Sequence, residues 1–500
     1  MTTSGLLIAV DQGTTGTRTY VFDRRAKVLG SSYREHRQHF PRPGWVEHDP
    51  EEIWENTQAT GAAALKAAGL VPSKARRHIA ALGITNQRET VVLWDRKRSR
   101  PLHRAIVWQC RRSAGRCEQL LRRGWGPRIQ ARTGLIVDAY FSATKAEWLL
   151  KQVPGAAAAA AAGILALGTM DSWLLWRLSG GGVHATDFSN ASRTMLFDIR
   201  RRTWDRELLR LFSVPAGILP KVQASASLFG MTAQGAFCGP GIPVTGIAGD
   251  QQAALFGQGC TRPGSMKNTY GTGCFLLMNL GGRHRTSRRR LLTTLACGPD
   301  GGPVFALEGA VFIGGAAVQW VRDQLGLVRE ASETEALCRS LKDNGGVHLV
   351  PAFVGLGAPH WDSQARGVLS GLTRGSGRAH LVRAAVESMA FQSADLVRAM
   401  EADAGMRVRT LRVDGGASRN NWLMQFQADL LGALVERPAQ TETTALGAAL
   451  LAGLGCGLLK AGDLGRRVGI QRRFKPVLAP SARLAAMTGW RQAVRQAMVH

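Results

Sequence analysis

Asp11-Gln-Gly-Thr-Thr15-Gly-Thr-Arg18 gathers a carboxylate, two glycines, three threonines and an arginine in eight residues. Glycines let backbone approach a ligand, amides and hydroxyls meet phosphate oxygens, a carboxylate takes Mg2+, and an arginine adds positive charge. A phosphate turn competes here with an ordinary hairpin carrying an Asx cap. Gly271-Thr272-Gly273 is a common hairpin tripeptide, informative only because it pairs with the first turn. Asp414-Gly415-Gly416-Ala417-Ser418-Arg419-Asn420 stands between a strand-like and a helix-like segment, as a nucleotide-cradling turn does. The chain has no Gly-Lys dipeptide, which excludes a Walker A loop.

Gly246-Ile-Ala-Gly-Asp250-Gln251-Gln252 sets a carboxylate and two amides after an apolar run. Asp250 reads as a general base at a cleft, or as a helix N-cap. Arg88-Glu89, at a strand end, could grip two polyol hydroxyls in opposite senses, one side chain donating and the other accepting; a surface salt bridge is the alternative. Trp108 and Tyr140 suit the core, or stacking against a carbon skeleton. None of the eleven histidines has metal-ligand or triad spacing, and His360 beside Trp361 is the one to watch.

Strands and turns must hold these residues. Leu6–Val10 is a continuous apolar run, hence a buried strand, and Thr17–Phe22 alternates as a second. Asp49 as N-cap, Pro50 at N1 and Glu52 at N3 open a helix with a capping-box pattern. Ile79–Thr85 and Thr90–Trp94 read as strands around the turn Asn86–Glu89. The second half repeats the opening grammar: Ser265–Tyr270, a Gly/Thr turn, then Cys274–Met278. The repeat predicts an α/β protein of two related domains with a boundary near 253–262, taken as 1–256 and 257–500. Leu381–Met400 carries helical periodicity, Thr410–Val413 reads as a strand, and Ala156–Ala162 as a compositional helix.

Five hundred residues exceed one core, and 45% hydrophobic with 20% charged residues excludes wholesale disorder. The outlying number is a formal charge of +28, from 64 Lys+Arg against 36 Asp+Glu. It raises polyanionic partners. Yet the basic residues are spread over many short clusters, from Arg24-Arg25 to Arg466–Arg473, with no aromatic-interleaved stripe and no nucleic-acid motif. Arginine's excess over lysine, 53 to 11, beside abundant Ala and Gly reads as compositional drift, so no specific nucleic acid is expected. Eight cysteines without a CxxC pair read as reduced thiols. Met1–Val10 has no secretory signal pattern, and the uncharged stretch Ala445–Leu459 is too short to span a bilayer. The expected setting is cytoplasmic.

Taken together, a dozen segments in register resemble the FGGY carbohydrate kinases over nearly the whole chain. They are Asp11–Thr15, Pro43–Pro50, Ile84–Thr90, Ala105–Arg112, Tyr140–Lys145 with Trp148, Thr186–Met195, Gly246–Leu255, Asn268–Phe275, Leu307–Val311, Gly355–Trp361, Gly371–Gly375 and Val413–Gly416. The Arg-Glu pair and Gly-Asp-Gln-Gln resemble the members that phosphorylate glycerol rather than those acting on xylulose or gluconate.

The resemblance implies two actin-like (ribonuclease H-like) domains flanking a catalytic cleft, with ATP and Mg2+ required, glycerol phosphorylation as the activity, and a homo-oligomer, dimer or tetramer. Another small polyol or ketose is the alternative substrate. By the same resemblance Asp250 is the base, and Arg88, Glu89, Trp108, Tyr140, Asp250, Gln251 and Phe275 hold the polyol. Thr14, Thr15, Gly16, Arg18, Thr272, Gly315, Gln319, Gly416 and Asn420 hold the nucleotide, and Asp11 positions Mg2+. Two segments depart from the family pattern. Gly16-Thr17 stands where two serines are common, which implies weaker phosphate contact. The loop Phe237–Ile242 lacks the arginine of members that bind fructose 1,6-bisphosphate, which argues against that inhibition.

Overall fold

The computed structural model describes residues 5–362, 364–464 and 468–498. Met1–Ser4 and Arg466, both touched by the sequence reading, lie outside them. Each half of the chain builds a mixed sheet on a hairpin. In the first half the strand order is 226–231, 243–249, 79–86, 6–12, 16–22 and 28–35. Leu6–Gln12 runs antiparallel to Gly16–Phe22 and parallel to Ile79–Asn86, which is parallel to Pro243–Gly249. In the second half the order is 292–297, 303–311, 274–281, 266–270, 410–414, 434–438 and 470–474. Met266–Tyr270 is antiparallel to Cys274–Gly281 and parallel to Thr410–Asp414, which is parallel to Leu434–Pro438.

Strand directions therefore match from sheet to sheet: hairpin, then two parallel strands, then an antiparallel edge. The expected strand at Thr90–Trp94 forms as Val91–Asp95, but it pairs with Leu165–Thr169 in a separate sheet inserted into the first half. The periodic segment 381–400 lies inside one helix, Arg378–Ala404, and the alanine tract forms Ala156–Ala161.

Asp49 does cap the helix Pro50–Ala67, its carboxylate accepting from Glu51 N at 2.9 Å. Glu52 does not close the box. Its carboxylate instead accepts from Arg37 N at 3.0 Å, in the loop before the helix, and so is engaged away from the N-cap amide. The uncharged stretch forms the buried helix Thr443–Gly455, whose uniform hydrophobicity reflects burial on several sides. This helix belongs to the second half by sequence, yet it packs on Asp250–Gly257 and on the first sheet. No described helix is long and apolar enough to cross a membrane. All eight cysteines are unpaired and seven are buried.

Candidate active site

Parallel strands end where helices begin, and at those ends the first half forms a junction with the second, where Arg88 pairs with Glu308 and Gln251 with Lys267. Ile79–Asn86 delivers Gln87, Arg88 and Glu89 into it. Gln87 N bonds Gln12 O at 2.7 Å, Thr90 N bonds Arg88 O at 2.8 Å, and Glu89 sits in left-handed backbone at φ +62°. A non-glycine residue held there is the kind of strain that accumulates at functional sites. Both side chains of the Arg-Glu pair are buried, so the surface salt-bridge reading fails.

Asp250 is the first residue of the helix Asp250–Gly257, with Gly249 as its N-cap, so the capping role is not its own. Its Oδ1 accepts from Gln251 N at 2.7 Å and lies 3.1 Å from Arg88 Nε. Burial pushes its carboxyl up while Arg88 pulls it down. Gln251 Oε1 accepts from the ammonium of Lys267, which also donates to Thr269 Oγ1 at 2.7 Å. Burial brings Lys267 down to about 8. Tyr140 OH lies 3.4 Å from Arg88 Nη2, and its ring meets Trp108 edge-on at 5.5 Å. The Tyr140 backbone is clamped by Lys145, whose Nζ donates to Tyr140 O at 2.6 Å, and by Asp138, which accepts from Tyr140 N. Phe275 shares a sheet face with Leu277, Glu308 and Ala310 in the second half.

The first hairpin closes through Gly13 N to Gly16 O at 2.9 Å, and the second through Gly271 N to Gly273 O at 2.9 Å. Thr14 Oγ1 accepts from Trp108 Nε1 at 3.0 Å. A Cβ at residue 16 would sit 2.6 Å from Arg34 O and from the Tyr33 ring, so the glycine goes with Tyr33, whose hydroxyl lies 3.5 Å from Thr15 Oγ1. Arg18 is half-exposed, held by Glu442 at 3.1 Å and Tyr20 at 3.3 Å, and stacked on Tyr33. Asp11 is pushed up to about 7 by burial, with Asp250 and Glu442 adding repulsion against Arg18.

Thr272, Gly315, Gln319, Gly416 and Asn420 line one cavity of about 580 Å3, whose apolar wall includes Val318, Val386, Met389 and Leu423. Gly415, at φ +85°, packs onto the Tyr270 backbone where a side chain would not fit. Two expected contacts are already engaged. Asn420 caps the helix Asn421–Leu431, and the first amides of the helix Gly315–Asp323 bond the carbonyls of Gly271 and Thr272. His360 lies apart, in a small cavity with Asp395 and Trp490.

Sequence reasoning missed Tyr33, Arg193, Lys267, Glu308 and Glu442. Arg193 and Glu308 stood inside noted segments, but neither segment had been given a role. Among the described residues no group of three or more His, Cys, Asp or Glu side chains could hold a metal ion by itself.

Models of the FGGY family of carbohydrate kinases match residues 6–257 with the N-terminal domain and 266–456 with the C-terminal domain. The chain is 53% identical to a glycerol kinase of Symbiobacterium thermophilum, over 99% of this chain and 98% of that one. It is 55% identical to one of Rhodospirillum centenum, over 98% and 97%. The crystal structure of Plasmodium falciparum glycerol kinase with ADP superposes at a TM-score of 0.93, with 33% identity and 99% of each chain covered.

Proposed function

The chain belongs to the FGGY family of carbohydrate kinases, and from that premise we propose that it transfers the γ-phosphoryl group of ATP to a terminal hydroxyl of glycerol, giving glycerol 3-phosphate. One observation carries the reading: a carboxylate beside a buried Arg-Glu pair, linked by a single strand to a cavity of nucleotide size. Met266–Tyr270 runs from Lys267, which touches Gln251, to Tyr270 on the cavity wall. Three residues of strand span about 10 Å, a reach suited to a triphosphate laid between the two sites.

Asp250 takes the proton of the attacking hydroxyl as its oxygen bonds the γ-phosphorus and the bond from that phosphorus to the bridging oxygen of ADP breaks. Arg88, Glu89, Tyr140 and Gln251 orient the hydroxyls, with Trp108 and Phe275 against the carbons. Thr14, Thr15, Gly16 and Arg18 face the phosphates across from Thr272, while Gly315, Gln319, Gly416 and Asn420 hold the remainder of the nucleotide. Phosphoryl transfer depends chiefly on such alignment and on charge stabilisation. Asp11 would hold Mg2+: its half-buried carboxylate feels the charge of Asp250 and Glu442, a negative environment that a cation would relieve. When bound there, the ion would screen phosphate charge.

We assign the polyol to 1–256 and most nucleotide contacts to 257–500. The same reading takes the protein as a cytoplasmic homo-oligomer. Its unpaired cysteines suit a reducing compartment, and the family resemblance supports self-association.

The test is ADP release with and without glycerol, against a panel of small polyols and ketoses. A substrate with much higher kcat/KM than glycerol sinks the glycerol assignment. Asp250→Asn should cut kcat by on the order of a hundredfold or more while leaving the unfolding midpoint in place. Retained turnover removes Asp250 as the base.

A further inference from the structure

The buried Arg88-Glu89 pair is half of a larger figure. Glu308, on the strand Pro303–Val311 of the second half, takes Arg88 as a fork: Nη1 to Oε2 at 2.7 Å and Nη2 to Oε1 at 2.9 Å. Arg193 Nη2 lies 3.2 Å from Glu308 Oε1, and Arg193 Nε donates to Glu89 Oε1 at 2.6 Å. Glu89 Oε1 is 3.8 Å from Arg88 Nε, which closes the circuit. Two arginines and two glutamates alternate in a neutral ring, none of the side chains more than 2% exposed.

Counting donors shows what the ring does. Arg88 has five N–H groups. Glu308 accepts two, Gln252 is 3.2 Å from Nη1, Tyr140 is 3.4 Å from Nη2, and Asp250 is 3.1 Å from Nε. Glu308 thus occupies the outer fork and leaves Asp250 only the single Nε edge. Without it, the fork would be free to pair bidentately with Asp250, the strongest arrangement open to an arginine and a carboxylate. Glu89 depends on Arg193 in the same way, since its contact with Arg88 is long.

We propose that Glu308 and Arg193 are positioning residues for polyol recognition: Glu308, reaching across from the second half, fixes Arg88, and Arg193 fixes Glu89, so that the gripping pair is assembled only when the two halves meet. The inference rests on the polyol-kinase reading. It adds that the donor–acceptor geometry of the first half is completed by a residue of the second. Burial opposes the Glu308 charge, yet Arg193 and Arg88 hold its carboxyl down at about 2, so it remains an anion throughout the working range.

The experiment measures Glu308→Gln and Arg193→Lys against the unaltered enzyme, using whichever polyol that enzyme turns over fastest. Failure of the glycerol assignment then shows in the parent and leaves this test intact. Each variant weakens the charge-assisted contacts that hold Arg88 or Glu89, which predicts a polyol KM raised on the order of 10- to 100-fold with the ATP KM within about twofold. Discrimination against an analogue lacking one hydroxyl should shrink by a similar factor, a change that general loosening does not produce. Arg193→Lys keeps the charge and provides the answer if Glu308→Gln does not fold. An unchanged polyol KM, or polyol and ATP constants rising together with a lowered unfolding midpoint, overturns the proposal.

Discussion

Helix Thr443–Gly455 lies against helix Asp250–Gly257 so closely that backbone meets backbone. A Cβ on Gly447 would stand 2.6 Å from the carbonyl carbon of Ala253 and 3.1 Å from its Cα. From the other helix, a Cβ on Gly257 would stand 2.8 Å from Gly447 N. Carbon atoms rest about 3.5–4.0 Å apart, so Gly447→Ala must part the helices by about 1 Å. The longer helix has nowhere to retreat. Its other side rests on the first sheet, where a Cβ on Gly83 would stand 2.7 Å from the Ala448 carbonyl carbon and one on Gly246 would stand 2.9 Å from Ala452 Cα.

Two effects oppose each other. Replacing glycine inside a helix gains about 0.8–1.0 kcal/mol of propensity. Overpacking costs typically about 1–3 kcal/mol, and the upper figure applies because the obstructing atoms are backbone and cannot rotate away. The net is a loss of about 2 kcal/mol. Catalysis should fall further than stability does, since the displaced helix carries Asp250 and Gln251 in its first turn. A misplacement near 1 Å costs on the order of a hundredfold in rate. Urea unfolding and kcat at saturating substrates measure both. Gly462→Ala, with no atom within 4 Å of the added carbon, serves as the neutral control. An unchanged or raised midpoint together with kcat within twofold of the parent would refute this account of the helix contact.

Two further outcomes follow from buried side chains. Burial holds His48 down at about 3 and His184 at about 4, so the unfolded chain binds more protons than the folded one below about pH 6.5, and stability is lost as pH falls from there. At pH 5 each contributes a loss of about 2 kcal/mol relative to neutrality; His48→Gln should shed its share of that slope in urea titrations, and an undiminished slope contradicts the burial argument. Seven of the eight thiols are buried, leaving Cys456 partly accessible; a thiol reagent should titrate about one group in the native protein and eight after unfolding, whereas rapid native reaction of several would show the packing wrong.

The hairpins were legible because each combines a buried apolar run with a Gly/Thr turn, a signal confined to a dozen neighbouring residues. The surroundings of Arg88 were not. Read locally, an adjacent Arg and Glu satisfy each other at a surface, yet Arg88 is forked by a glutamate 220 positions away and Glu89 is held by an arginine 104 positions away. Spacing carries no trace of such partners. Helix Thr443–Gly455 was opaque for a related reason: it touches another helix and a sheet at once, so it shows no polar face and no period. The capping box at Glu52 failed because a side chain's choice among nearby amides is settled by the path of the preceding loop.

Charge is distributed in a way that the total of +28 conceals. Carboxylates are scarce, and among the described residues twelve of them, Glu308 and Asp414 included, are buried against six cationic side chains, Arg88, Lys145, Arg193, Lys267, Arg383 and Arg437. The outer surface is therefore more basic than the sum suggests, while Asp11, Asp250 and Glu442 lie close enough to repel one another, with Arg18 opposing them. Long-range attraction of an anionic nucleotide can come from the whole surface and weakens with salt. Discrimination between polyols cannot come from there. It requires desolvated groups with fixed directions, and the buried arginines supply those only because glutamates neutralise them. On the proposed reading, surface charge raises the encounter rate with nucleotide at low salt, and the buried ring selects the hydroxyls.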